Sequence, residues 1–417
     1  MNDHPTPASV SRRRLLGTAT AAGAASLAVG GTGGALGYAA VRPEPPAPLS
    51  GVGERSYAFH GERQPGIVQP VQAHGHLLAF DLVPGAGRKE AAGLLRRWSR
   101  TAAALMAGRP PGEHATGSAL DAGPAALTVT FGFGASFFDR TGLAGQRPAA
   151  LAPLPEFSAD ALDRGRSEGD LWVQVGCDDA LVAFDAVRVL TRDAAETARV
   201  RWQMSGFNRT PGATAEPRSQ RNLMGQIDGT NNPRPDDADF ARHVFVPASG
   251  AEVPSDGRHP AWMAGGSYAV VRRIRMLLDD WDALSRARRE EVIGRRVSDG
   301  APLSGGTETT PVDLQARTSG GELAIAADAH VRVSAPESNG GATMLRRSYS
   351  YHDAPDDAGL LFVAWQADPL RAFVPVQRKL DRGDALSGFI RHEASALFAV
   401  PAGAPEGAYV GQPLLES

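Results

Sequence analysis

The chain has 417 residues, too many for one ordinary hydrophobic core, so two domains are expected. With 42% hydrophobic residues, 21% charged residues and a formal net charge of -3, it reads as a soluble globular protein without the basic footprint of a nucleic-acid binder. A single cysteine, Cys177, excludes an intrachain disulfide, a cysteine-ligated iron–sulfur cluster and covalent cofactor attachment through paired cysteines, so any redox cofactor must rest on histidine or on non-covalent packing.

The N-terminus reads as an address. Ser11-Arg12-Arg13-Arg14-Leu15-Leu16 is a twin-arginine pattern, followed by a mild Gly- and Ala-rich apolar run, so residues 1–40 are expected to be an export signal read by the twin-arginine machinery. The run is too short and too rich in glycine for a stable membrane span. Residues 41–65 are proline-rich and read as a linker. Beyond them, 76–83 is strand-like, and Pro84 with Gly85 closes it. Residues 88–107 have helical spacing, with Leu94, Leu95, Trp98, Ala102 and Leu105 on one face. Strands are expected at 126–133, 171–176 and 200–207, and a second helix at 180–190; the third strand alternates too weakly to give its register. The order β-α-β-β-α-β over 66–224 is that of a ferredoxin-like domain.

Residues 225–410 repeat the order. A strand at 267–277 precedes a helix at 280–293; strands at 345–351 and 360–366 flank an acidic turn, helix falls within 370–390, and 396–400 closes the sheet. The expected fold is therefore α+β, two ferredoxin-like domains with antiparallel sheets and flanking helices, ending in a tail at 411–417. A Gly-, Ser- and Thr-rich insertion at 297–343 interrupts the second repeat, and an irregular stretch this long either carries a function or lacks order.

Chemistry concentrates in Gly225-Gln226-Ile227-Asp228-Gly229-Thr230-Asn231-Asn232-Pro233. The glycines and asparagines favour turn backbone and Pro233 stops helix, so Asp228 sits on a tight loop. Alone, this stretch is better explained as a solvated turn. A distant set changes the reading: His330 in Asp328-Ala329-His330-Val331-Arg332, and Arg346 in Met344-Leu345-Arg346-Arg347-Ser348. Together these residues resemble a dye-decolorizing haem peroxidase, whose G-x-x-D-G loop, proximal histidine and distal arginine they match in order. The likeness extends through Thr130-Phe131-Gly132-Phe133-Gly134, Ile293-Gly294-Arg295-Arg296, Asp368-Pro369, Phe373-Val374-Pro375-Val376-Gln377 and Phe398-Ala399-Val400-Pro401.

The resemblance implies haem b held by non-covalent contacts in the C-terminal half. It implies reduction of hydrogen peroxide and one-electron oxidation of dyes, phenols or other small organic reductants through a ferryl intermediate. An alternative carried by some exported relatives is haem handling, with iron released from haem. A homo-oligomer is compatible with either. His330 is the expected axial ligand, with His352 and His392 next and Asp384 as the acid that orients it. Asp228 is the expected proton acceptor for peroxide. Arg346 is the expected fixed charge that stabilises the breaking O–O bond. Strand alternation allows only one of Arg346 and Arg347 to face the pocket, and Arg346 fits the motif better. Asn231, Asn232, Arg332 and Arg234 are candidate partners of the haem propionates, while Met344, Leu361, Phe362 and Phe373 are candidate pocket walls. Tyr349, Tyr351 and Trp365 are candidate aromatics for passing electrons inward from the surface, although core packing explains them as well.

Overall fold

Both expected repeats are present in the computed structural model, which describes residues 51–109, 117–214, 219–248 and 259–417. The expected signal at 1–40 lies outside the described residues. The first repeat runs β1 (His74–Leu82), α1 (Arg88–Met106), β2 (Thr128–Phe133), a short α2 (Ala135–Arg140), β3 (Leu171–Cys177), α3 (Ala180–Ala194) and β4 (Ala198–Phe207). A short α4 (Phe240–Val244) leads to the second: β5 (Ser267–Met276), α5 (Leu278–Asp282), α6 (Arg286–Ile293), α7 (His330–Ser334), β6 (Leu345–Arg346), β7 (Tyr349–Ala354), β8 (Asp357–Gln366), α8 (Phe373–Gly383) and β9 (Ile390–Val400). The chain ends in α9 (Gln412–Leu415).

Strand order gives the duplication its shape. The first repeat is ordered β4-β1-β3-β2 and the second β7-β8-β5-β9, with every pairing antiparallel. The two sheets meet at both edges, through Phe133↔Ala399 and Phe207↔Ser350, and close into a ring. Closure leaves few unpaired edge groups. Alternate residues fill the interior: Leu77, Ala79, Trp172, Trp202, Trp365 and Phe398, with Trp172 stacked on Phe398 at 5.3 Å between centroids. The other face of the first sheet carries α1 and α3. Leu94, Leu95 and Trp98 of α1 bury against Phe80 and Phe131; Trp98 stacks on Phe131 at 5.2 Å, and its indole N–H reaches the Leu190 carbonyl at 2.8 Å. Strand β3 is covered on both faces and buried throughout, which is why its sequence barely alternates.

Several expected bounds change for local reasons. The helix expected at 280–293 is two helices, because the Ser285 hydroxyl accepts from Arg288 N (3.2 Å) and starts a new one. Gly294, at φ 90°, ends that second helix. The strand expected at 345–351 breaks at 347–348 but keeps one register against β8. The linker expected to run to residue 65 is folded at its end: Phe59 and Gln64 are buried, and the Gln64 amide bonds Phe131 of the first repeat and the Pro401 carbonyl of the second. The expected tail is also anchored, since Leu414 and Leu415 of α9 are buried.

Candidate active site

The second repeat uses its sheet differently. Its outer face walls a cavity of about 320 Å³. Arg272, Ile274 and Met276 of β5, Leu360 and Phe362 of β8, Arg346 of β6, and Ile390 and His392 of β9 line one side. His330, Val331 and Ser334 of α7, with Phe373, Val376 and Leu380 of α8, line the other.

His330 is the first residue of α7, a single turn within the long insertion. Its Nδ1 lies 2.9 Å from Oδ2 of Asp384, the residue where α8 ends. The other oxygen of Asp384 accepts from Leu386 N at 3.1 Å, so one carboxylate caps the following turn and fixes the imidazole. A backbone bond from Ala385 N to Asp328 O (2.9 Å) locks the insertion to the end of α8. With Nδ1 engaged, Nε2 is the ring nitrogen left for the cavity. Burial disfavours the imidazolium, but the carboxylate of Asp384 outweighs it and raises the His330 pKa. His352 is exposed and does not line the cavity.

Across the cavity, Asp228 sits on a loop whose turns are made by Gly225 and Gly229, both at positive φ (79° and 91°). The Asn222 side chain accepts from Met224 N and Gln226 N, and Asp228 N bonds Gln220 O, so the loop is pinned from within. Asp228 Oδ1 and Arg346 Nε are 4.0 Å apart. That is close enough for electrostatic pairing but too long for a direct hydrogen bond, so both groups keep donor and acceptor capacity toward the cavity. Arg347 points the opposite way, buried against Gly66 O, Pro70 O and Gln72 Oε1. Strand alternation thus resolves the choice in favour of Arg346.

Among the other expected site residues, Asn231 and Phe362 line the cavity, as do Met344 and Phe373. Asn232 does not reach it: both ends of its amide are spent on the backbone of Arg346, donating to its carbonyl at 2.7 Å and accepting from its N–H at 3.1 Å. This ladder-like pair sets the Asp228 loop against β6. Arg332 is corrected more sharply. Its guanidinium donates to the carbonyls of Leu314, Ile325 and Ala326 and ties the insertion together instead of facing a ligand. Arg234 is exposed and also outside the cavity. Leu361 faces the interior cluster, and Tyr349, Tyr351 and Trp365 are buried there with it, so these aromatics are not surface groups.

Three further lining residues carry polar atoms: Arg272 and Arg295, to which the sequence reading gave no role, and His392, one of the alternative ligand candidates. Arg272, 1% exposed, pairs with Asp160 through Nη2. Its Nε and Nη1 have no partner among the described residues, and neither does Nδ1 of His392, 4% exposed. Burial, then the neighbouring Arg272, holds the His392 pKa well below the usual histidine value. Arg295 also lines the cavity and donates to the carbonyls of Gly300 (2.7 Å) and Glu308 (3.0 Å). Charged residues on a strand that alternates toward an apolar face are the only sequence signal, and it is weak.

The models for the Dyp-type peroxidase N-terminal and C-terminal regions match residues 64–208 and 219–405. The chain belongs to the Dyp-type peroxidase family. A dye-decolorizing peroxidase of Thermobifida fusca is 50% identical over 368 residues, covering 85% of this chain and 84% of that one. A deferrochelatase of Yersinia pestis is 33% identical over 380 residues, covering 86% and 85%. Among solved structures, a DyP-type peroxidase from Streptomyces coelicolor aligns with a TM-score of 0.85 at 65% identity, covering 89% of this chain and all of that one. Ferric DtpA from Streptomyces lividans gives the same TM-score, identity and coverage of this chain.

As a Dyp-type peroxidase the chain is a haem-dependent enzyme that reduces peroxide at the expense of an organic donor. The cavity fits that cofactor. It offers one carboxylate-backed imidazole, apolar walls from Ile274, Leu360, Phe362 and Val376, and buried donors on Arg272 that a closed apolar core would not leave without acceptors.

Proposed function

We propose that His330 would hold the iron of haem b and that Asp228 and Arg346, across the cavity from it, would handle peroxide. The observation that carries this reading is the arrangement across one cavity: an imidazole fixed by Asp384 on the helical side, and a carboxylate and guanidinium 4.0 Å apart on the sheet side. Asn231, Phe362 and Phe373 border the cofactor. When bound, the haem supplies the iron that takes up the two oxidising equivalents of peroxide and returns them one at a time. Asp228 takes the proton from the near oxygen of peroxide and passes it to the departing one, which leaves as water. Arg346 offers a permanent positive charge to the negative charge that develops as the O–O bond opens. Its backbone is held by Asn232, so this charge is in place beforehand. Asp384 keeps His330 in the tautomer that donates from Nδ1 and makes it a stronger electron donor.

Haem-loaded protein mixed with one equivalent of hydrogen peroxide in a stopped-flow absorbance experiment tests these roles. Asp228→Ala or Arg346→Ala should slow the Soret change by about 10² to 10³-fold while haem stays bound. Wild-type rates in both variants would sink the assignment. The twin-arginine pattern supports export of the folded, cofactor-loaded protein, which would then act outside the cytoplasm. No helix among the described residues is long and apolar enough to cross a membrane. The 33% identity to a deferrochelatase supports a second reading, haem handling, whose mark is release of metal-free porphyrin.

A further inference from the structure

A second cavity, of about 870 Å³, lies against the first. The two share Asn222, Ile227, Asp228, Gly229, Arg346 and Leu360, so the proposed peroxide-handling pair stands in the wall between them. The second cavity differs in chemistry. Arginines outnumber carboxylates four to two among its described lining residues: Arg55, Arg209, Arg221 and Arg346 against Asp178 and Asp228. Arg346 and Asp228 offset each other. Asp178 is engaged by Ala73 N at 2.9 Å and feels Arg55 as its nearby cation. Arg221 spends its donors on the carbonyls of Gly225, Val297 and Ser298, which leaves its charge uncancelled. Arg209 forms no ion pair among the described residues. Tyr57, Pro70, Val71 and Pro211 supply flat, mostly apolar surface beside these cations.

Excess positive charge beside flat apolar surface selects anionic aromatics, by attraction on approach and by stacking and burial on arrival. We propose that this cleft is the docking site for the organic reductant and that it prefers donors carrying a fixed negative group. The inference rests on the peroxide-handling roles given to Asp228 and Arg346, because they form the wall through which the donor meets the haem pocket. Each phenolic donor gives up one electron and its hydroxyl proton, so that two donors and one hydrogen peroxide yield two phenoxyl radicals and two waters. The anionic group is recognised and unchanged.

The test compares 2-methoxyphenol with its ring-sulfonated counterpart, using haem-loaded wild type and the double variant Arg55→Gln/Arg209→Gln. Arg221 is left alone because it pins the loop that carries Asp228. The ratio of kcat/KM for the sulfonated donor to that for the neutral donor should fall about tenfold in the variant. In wild type, raising salt from about 20 to about 500 mM should lower the same ratio, and the variant should lose most of that salt response. A ratio unchanged by the substitutions, with wild-type peroxide consumption intact, overturns the docking site alone. Wild-type protein that consumes no peroxide with either donor overturns the underlying peroxidase roles and the docking site with them.

Discussion

The two repeats share one topology and do opposite things with it. In the first, the outer face of the sheet is filled. Phe80 and Phe131 meet Trp98, Leu94 and Leu95 of α1, and the Trp98 indole also bonds α3. In the second, the corresponding face carries Arg272, His392 and Arg346, its first helix is split at Ser285, and the 297–343 insertion brings His330 over the sheet. A ferredoxin-like sheet thus yields a core when a continuous helix covers it and a cavity when that cover is displaced. Duplication let one copy supply rigidity while the other accepted buried charge.

That contrast can be broken most directly at His330. His330→Ala should abolish axial coordination and weaken haem binding by about 100-fold or more, since loss of a ligand exceeds the effect of losing its supporting partner. Haem titration followed in the Soret region checks it, and unchanged coordination would end the ligand assignment. The matching blow to the first repeat is Trp98→Ala. It should cost about 3–5 kcal/mol of stability in denaturant unfolding while the spectrum of the haem-loaded protein is preserved. A Soret change as large as that of His330→Ala would show that the two repeats are not separate in function.

Asp384→Asn sharpens the comparison. The amide keeps the shape and can still cap Leu386 N, but it no longer backs the imidazole with negative charge. Haem affinity should fall by about 10- to 100-fold, with little change in the stability of the haem-free fold. The smallest effect is expected at His76 on β1. Burial first, and the neighbouring His74 second, push its pKa down from 6.5 to about 4. The unfolded chain therefore binds the proton more readily than the folded one. Stability from keeping His76 neutral is fully present above about pH 6.5 and is lost as pH falls toward about 4, on the order of 2 kcal/mol after allowance for partial exposure. His76→Gln should remove that part of the acid sensitivity. Urea unfolding of both proteins at pH 7 and pH 4.5 reads it as a difference of differences, and equal acid loss in the two would show that His76 carries none of it.

Local patterns made much of the fold readable. The apolar stripe of α1 and the Pro84-Gly85 stop after β1 depend on neighbours within one turn or one strand, and each appears where the spacing puts it. The Asp228 loop was legible for the same reason, because Gly225 and Gly229 have to take positive φ there. Asn232 and Arg332 were misread as cofactor partners because a polar side chain in a turn does not announce which backbone it will meet. Asn232 met Arg346, more than a hundred residues away, and Arg332 met its own insertion. Likewise Tyr349, Tyr351 and Trp365 have the β-propensity of any strand, and only closure of the ring placed them inside.

By itself, then, the sequence determined the repeated β-α-β-β-α-β order, the family motifs and the residue types able to hold iron and move a proton, since these follow from spacing and chemistry within short windows. Asp384 was expected to orient His330, and Arg346 rather than Arg347 to face the pocket, and the fold makes both pairings; tertiary structure alone decided that Arg272 and His392 share the pocket wall. Those pairings join segments brought together only when two sheets close on each other, and no local pattern records which distant side chain will be waiting there.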